Sequence, residues 1–239
     1  MRDYNRVPKR ILLEISVESA ERARAAESGG ADRLELCCEL ALGGLTPPRA
    51  LIEAVRKSVR IPVLAMIRPR AGDFVYSETE FAEMLEAIAW AREARIEGVV
   101  AGLLGRDRRV DRTRTAQLVG AARGLEVTFH RAVDDARDLL EAVDEIAEAG
   151  VTRILTSGGK PTALDGAPTI AAMIERARGR VDILPGAGIN AGNLGEIVRR
   201  TGAEEVHAGL SSLVPRSAAA GRFEEEVRRL STAATRFSQ

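Results

Sequence analysis

The sequence predicts an α/β chain: a single (β/α)8 TIM-like barrel over residues 11–239, preceded by a polar N-terminal tail, residues 1–10. Two observations carry this. Short β-rich runs recur along the chain, and Ala/Glu/Arg/Leu-rich stretches with helical spacing separate them. Strand, helix and parallel strand make a βαβ unit, and eight such units at this length close a barrel. A third observation removes the main alternative. An open doubly wound sheet ordinarily shows a Gly-x-Gly-x-x-Gly turn after its first strand, and Glu14-Ile15-Ser16-Val17 is no such turn.

The strands are placed in order at residues 11–15, 33–37, 62–68, 98–101, 125–130, 153–156, 181–184 and 205–208. Strand alternation sorts their polar residues. Leu13 and Ile15 share one face of the first strand, leaving Glu14 and Ser16 opposite. In the second, the leucines oppose Arg33, Glu35 and Cys37. In the third, Ala65 and Ile67 alternate with Met66 and Arg68. Val127 and Phe129 oppose Thr128 and His130, and Val206 opposes Glu205 and His207. Helical spacing is clearest at Phe81, Leu85 and Ile88, at Leu139, Val143 and Ile146, and from Arg222 to Leu230. After the second strand, Thr46 reads as a helix cap and Pro47 as a first helical residue. With the apolar faces against the helices, Glu14, Glu35, Arg68, His130 and His207 point into the barrel.

Composition excludes several functions. The 239 residues are 45% hydrophobic and 29% charged with zero formal net charge, so neither nucleic acid nor an anionic membrane is favoured as a partner. Aromatics are 3% of the chain, too few for a base-stacking platform. The adjacent Cys37 and Cys38 cannot make a disulfide framework, which points to a reducing cytoplasm. The basic N-terminus lacks the apolar segment of a signal peptide, and no apolar run approaches a membrane span.

The chain contains two histidines, His130 and His207, each at the end of a strand. C-terminal strand ends are where barrels assemble chemistry. His130 is the candidate general acid or base, with Glu14 or Glu35 to fix its tautomer or share proton transfer, and His207 beside them. Arg68 and Arg70 are suited to a carboxylate or phosphate, and Asp73 to positioning either arginine or a polar substrate group. Arg131 follows His130. Thr156, Ser157 and Gly158 after the sixth strand, and Gly186, Ala187 and Gly188 after the seventh, form loops of the kind that bind phosphate in barrels. The competing reading is an internal ion-pair layer, since buried charges must pair or bind something. Lysine occurs at Lys9, Lys57 and Lys160 and at no expected strand end, which disfavours Schiff-base chemistry.

An ordered set of segments runs from about Ile11 to His207. It comprises Gly30-Ala31-Asp32-Arg33-Leu34-Glu35-Leu36-Cys37, Gly43-Gly44-Leu45-Thr46-Pro47, Ile67-Arg68-Pro69-Arg70 with Gly72-Asp73-Phe74, Val127-Thr128-Phe129-His130-Arg131-Ala132 with Asp134, Leu155-Thr156-Ser157-Gly158, and Gly186-Ala187-Gly188-Ile189. In this set the chain resembles the CutC family, described as copper homeostasis proteins. The resemblance implies a cytoplasmic TIM-like barrel, assembled as a homodimer or higher homo-oligomer, that handles copper as Cu(I); no organic cofactor is expected. It makes Cys37 the expected metal ligand. The family commonly has a second cysteine at the end of the first strand, where this chain has Ser16. Cu(I) favours soft thiolates. The sequence therefore supports a copper homeostasis protein with an anion-binding barrel mouth. The alternative is an isomerase, lyase or hydrolase acting on a small phosphorylated or carboxylated metabolite.

Overall fold

The computed structural model describes residues 10–235. Of the expected polar tail only Arg10 lies within it. The Arg10 guanidinium donates to the Gly30 carbonyl at 2.8 Å and pairs with Asp32 at 3.2 Å.

Strands and helices alternate throughout: β1 (Leu12–Val17), α1 (Ala20–Gly29), β2 (Arg33–Leu36), α2 (Arg49–Ser58), β3 (Val63–Met66), α3 (Glu78–Glu93), β4 (Gly98–Ala101), α4 (Arg112–Ala121), β5 (Glu126–Phe129), α5 (Leu139–Glu148), β6 (Arg153–Thr156), α6 (Ala167–Ala177), β7 (Asp182–Pro185), α7 (Leu194–Thr201), β8 (Glu205–Ala208) and α8 (Ala220–Thr235). Every strand pair is parallel, in the order β7-β6-β5-β4-β3-β2-β1-β8. Pairing of β1 with β8 brings the first and last strands together, with Glu14 opposite His207. Among the described residues no backbone ladder joins β7 to β8, so the barrel has one seam. Gly186 lies there, where an added Cβ would come 2.5 Å from Leu155 and 3.4 Å from His207.

All eight expected strands are present, with ends displaced by one or two residues in five of them. The first strand continues to Val17 because the β1–β2 ladder continues: Val17 is in register with Leu36, and its carbonyl accepts the Cys37 amide at 3.1 Å. Local chemistry fixes the helix starts. Ser77 and Glu80 form a capping box on α3, and Asp138 accepts the Leu140 and Glu141 amides of α5. Thr46 does not cap a helix as expected, because α2 begins at Arg49 behind Pro48. The Thr46 hydroxyl instead accepts the Arg68 amide at 2.8 Å, which ties the second loop to the end of β3.

Leu13, Ile15, Leu34, Leu36, Val99, Val127, Phe129, Ile154 and Val206 fill the layer between sheet and helices. The barrel interior is different. Cys37, Leu64, Met66 and Val100 form a small apolar cluster on one side. Much of the remaining interior is charged. Among the described residues no helix is long and apolar enough to cross a membrane.

Candidate functional site

The interior charges form two levels. The lower level is a belt of ion pairs. Arg33 pairs with Glu14 through Nε and with Glu205 at 2.9 Å through Nη2. Arg153 bridges Glu205 at 2.7 Å and Glu126 at 3.2 Å, and donates to the Thr128 hydroxyl. Burial works to raise the Glu14 pKa, but Arg33 and His207 overcome it and hold the carboxyl at about 2.

A hydrogen-bonded chain climbs from this belt. His207 Nδ1 lies 2.8 Å from Glu14 Oε1, and its Nε2 lies 2.9 Å from Ser16 Oγ. Ser16 donates to Glu35 Oε1 at 3.1 Å. Burial opposes a charge on His207, yet Glu35 and Glu14 outweigh it and raise the pKa. A protonated imidazolium satisfies every bond in the chain: Nδ1–H to Glu14, Nε2–H to Ser16, and the Ser16 hydroxyl to Glu35. Burial pushes the Glu35 pKa up, and its Oε2 has no partner.

At the upper level a cavity of about 390 Å³ opens at the C-terminal strand ends. Its walls include Ser16, Glu35, Arg68, His130, Arg131, Asp134, Ala187, Gly188 and His207. A second cavity of about 400 Å³ lies at the opposite end beside Arg10 and Glu205, with no histidine in its lining. Barrel chemistry belongs to the C-terminal face.

His130 sits in this mouth, 4% exposed. Its Nδ1 accepts the Ala132 amide at 3.1 Å, so a neutral ring carries its hydrogen on Nε2. Burial and the charge of Arg68 press its pKa down to about 3, so the ring is neutral at pH 7. Nε2 has no partner. The ring stacks obliquely on Phe74, centroids 5.1 Å apart. Gly102 lies beneath it, where a Cβ would fall 2.5 Å from Nδ1, so only glycine leaves the ring its place.

Arg68 comes from the end of β3. Its guanidinium donates to the carbonyls of Leu42, Gly44 and Gly72 and lies over Phe74. Among the described residues no carboxylate pairs with it, its Nε is unpartnered, and the residue is 7% exposed. Carbonyl dipoles orient this charge without neutralising it.

Other expected residues lie differently. Arg70 pairs with Asp73 at 2.9 Å and with Glu80, and it lies over Tyr76. Neither Arg70 nor Asp73 lines the mouth, because the turn after β3 folds them onto the start of α3. The loop after β6 is an anion cradle, but its anion is a protein side chain. Asp134 accepts the Thr156 hydroxyl at 2.6 Å, the Ser157 amide and hydroxyl, and the Gly159 amide, while the Gly158 amide goes to the Thr156 hydroxyl. Arg131 completes that cluster through Asp134 and the Ser157 hydroxyl. Of the loop after β7, Ala187 and Gly188 reach the mouth, and Ala187 holds the left-handed conformation at φ 79°. The Gly186 amide is spent on the Thr156 carbonyl.

Sequence reasoning gave no role to Phe74, Gly102 or Asp134. The spacing of Arg131 and Asp134, three residues apart, was the available signal for the last.

Cys37 is fully buried among Leu64, Met66 and Val100. Burial first, then Glu35 and Glu18, push its thiol pKa far above the usual range, so it stays protonated. Among the described residues one group of side chains has a metal-like arrangement: Glu14, Glu35 and His207 offer ligand atoms within 4.8 Å of one another. The set fits Cu(I) poorly. Two donors are hard carboxylates, Glu14 is already bound to Arg33, and His207 uses both nitrogens in hydrogen bonds.

This arrangement can be compared with known proteins. The chain is 44% identical over 205 residues to a Photobacterium profundum protein named family protein CutC, covering 86% of this chain and 84% of that one. It is 43% identical over 201 residues to the human copper homeostasis protein cutC homolog, covering 84% and 74% respectively. A CutC crystal structure from Streptococcus agalactiae superposes with a TM-score of 0.79 at 33% identity, over 82% of this chain and 97% of that one. The CutC family model matches residues 11–212, which take in every strand of the barrel and every residue of the mouth described above. By sequence and by fold, the chain belongs to the CutC family.

Proposed function

We propose that the barrel mouth binds a small anionic metabolite and performs acid–base chemistry on it. The observation that carries this reading is Arg68: a buried guanidinium, oriented by three carbonyls, with no counter-anion among the described residues and a free Nε. An unpaired buried charge is costly, and an anionic ligand in the cavity would offset that cost. His130 and Glu35 line the same cavity, and each has a buried polar atom without a partner. Thermal unfolding with oxalate and with inorganic phosphate tests the reading. A hundredfold excess over Kd is expected to add about 2.7 kcal/mol to wild-type stability. Arg68→Gln should lose that gain with its circular dichroism unchanged. A wild-type chain that neither anion stabilises would defeat the reading.

A second reading makes copper the cargo, as the human relative's name suggests for that protein. Its support is the placing of Cys37 beside Met66, a soft thiol and thioether, with Met66 on the cavity wall. Cu(I) would have to displace a proton from a thiol that holds it strongly. The reduced chain should then bind Cu(I) near one equivalent, Cys37→Ser should abolish most binding, and Ser16→Cys should tighten it. Equal affinity in all three proteins removes Cys37 as the ligand. The homo-oligomer expected of the family is checked by light scattering on the same samples.

A further inference from the structure

Resting on the anion-site reading above, we propose that the mouth removes a proton from the carbon beside a carbonyl group, in a small substrate ending in a carboxylate or a phosphate. Three residues that line one cavity each carry a buried polar atom without a hydrogen-bond partner: Arg68 Nε, His130 Nε2 and Glu35 Oε2. Each has a different chemical character, and together they make a set. Arg68 brings a fixed positive charge for the terminal anion. His130 brings a neutral N–H donor, because the Ala132 amide occupies Nδ1 and places the hydrogen on Nε2. Glu35 brings a carboxylate whose Oε1 is held by Ser16, which leaves Oε2 as the basic atom.

The step balances without a co-reactant. Glu35 Oε2 takes the proton from the carbon. The electrons of the broken C–H bond become the new C=C bond of an enolate, and the carbonyl π pair moves onto oxygen. The His130 Nε2–H group donates a hydrogen bond to that oxyanion, and Arg68 adds its charge. A neutral imidazole suits this role because its N–H is matched to a weakly acidic enol better than an imidazolium would be. Glu35 swaps that proton with solvent and returns one to the same carbon, which exchanges hydrogen, or it delivers the proton to the neighbouring carbon of an α-hydroxycarbonyl while the hydroxyl proton passes to the enolate oxygen, which isomerises it. No oxidation state changes overall. Beside Glu35, Ser16 and His207 continue a hydrogen-bonded chain along the cavity wall to Glu14, which holds Oε1 in place. Burial raises the Glu35 pKa above the ordinary carboxylate value, which makes its carboxylate a stronger base. A Schiff-base route lacks its nucleophile, since among the described residues no lysine lines the cavity.

The test is hydrogen exchange of the full chain in deuterium oxide, followed by proton NMR. One arm uses pyruvate, a carboxylated carbonyl compound, and the other dihydroxyacetone phosphate, a phosphorylated one. Protein-dependent loss of the proton signal beside the carbonyl is expected in one arm, and which arm responds identifies the anion. Glu35→Gln should slow the exchange at least about a hundredfold, the lower end of general acid–base contributions. His130→Asn should slow it at least about tenfold. Glu35→Asp, which keeps the carboxylate, should retain part of the rate and shows that loss in Glu35→Gln is not loss of fold. No exchange in either arm, or an unchanged rate in Glu35→Gln, overturns the proposal. If oxalate or phosphate still stabilises the wild-type chain through Arg68 in that case, anion binding stands and proton abstraction alone falls. If neither anion binds, both fall together.

Discussion

The two levels of the barrel interior are built from the same residue types and end in opposite states. In the lower belt Arg33, Arg153, Glu14 and Glu205 are buried, and each is matched by an opposite charge. In the mouth Arg68, His130 and Glu35 are just as buried, yet each keeps one atom without a partner. Desolvation penalises both levels alike. In the belt, Coulomb attraction and hydrogen bonds between neighbouring strands offset it, so the belt serves the fold. In the mouth, backbone carbonyls orient Arg68 and a backbone amide orients His130 without neutralising either, while Glu35 is held by Ser16 and lies 4.0 Å from His207. His207 joins the two, bonded below to Glu14 and above to Ser16. The lesson is that a buried charge reads as structural or functional according to whether its partners are ions or only dipoles.

The largest loss of stability is expected in the belt. Arg33→Met leaves Glu14 and Glu205 buried without their shared partner. Removing one member of a buried ion pair costs about 3–5 kcal/mol. In a chain of this size that lowers Tm by on the order of 10 °C. Equilibrium urea unfolding is the measurement. A loss under about 1 kcal/mol would mean that the belt is not what holds the strands in register.

Acid separates the levels next. His130 is held at about 3 in the folded chain against an ordinary value of 6.5. The unfolded chain therefore binds the extra proton first, and the His130 contribution is lost as pH falls from 6.5 toward 3. Glu14, at about 2 against 4.5, loses its contribution lower, as pH falls through 4.5 toward 2. His207 runs the other way: its pKa is raised, so its contribution is complete below 6.5 and is lost as pH rises through its folded value. Urea unfolding across pH 4 to 6.5 should show a decline on the order of a few kcal/mol, and His130→Asn should flatten it. An equal slope in that variant would assign the decline to other groups.

Much of this was legible in the sequence, for a physical reason. A strand has a period of two, so once the leucines of the second strand face the helices, Glu35 must face the barrel. The same holds for Glu14, Arg68, His130 and His207, all of which are buried inside. Partnership was not legible, because it depends on register and on loop geometry. That Glu14 pairs with Arg33 follows from the β1–β2 register, which sets the two residues side by side. That Asp134 folds back into the loop after β6 depends on the short turn following His130. Arg70 and Asp73 looked like site residues because their types suit an anion, but the local turn pairs them with each other. Residue type announces what a group can do, and contacts decide whether it is free to do it.

The smallest expected effect is the most discriminating. At pH 7 His130 makes one hydrogen bond through its ring, to the Ala132 amide at Nδ1. Asparagine in its place can keep that bond through its side-chain oxygen. It loses the Nε2–H group, which among the described residues bonds to nothing. If His130 serves a ligand, His130→Asn should change stability at pH 7 by less than about 1 kcal/mol, or a few degrees in Tm, while weakening anion binding. If the ring is instead a structural member of the interior, its removal should destabilise the barrel by about 1–3 kcal/mol, because buried neighbours are left unpaired. Differential scanning calorimetry with and without oxalate reads both quantities on one sample. A large fall in Tm with an undiminished oxalate shift would move His130 from the mouth's chemistry into the same structural class as Arg33.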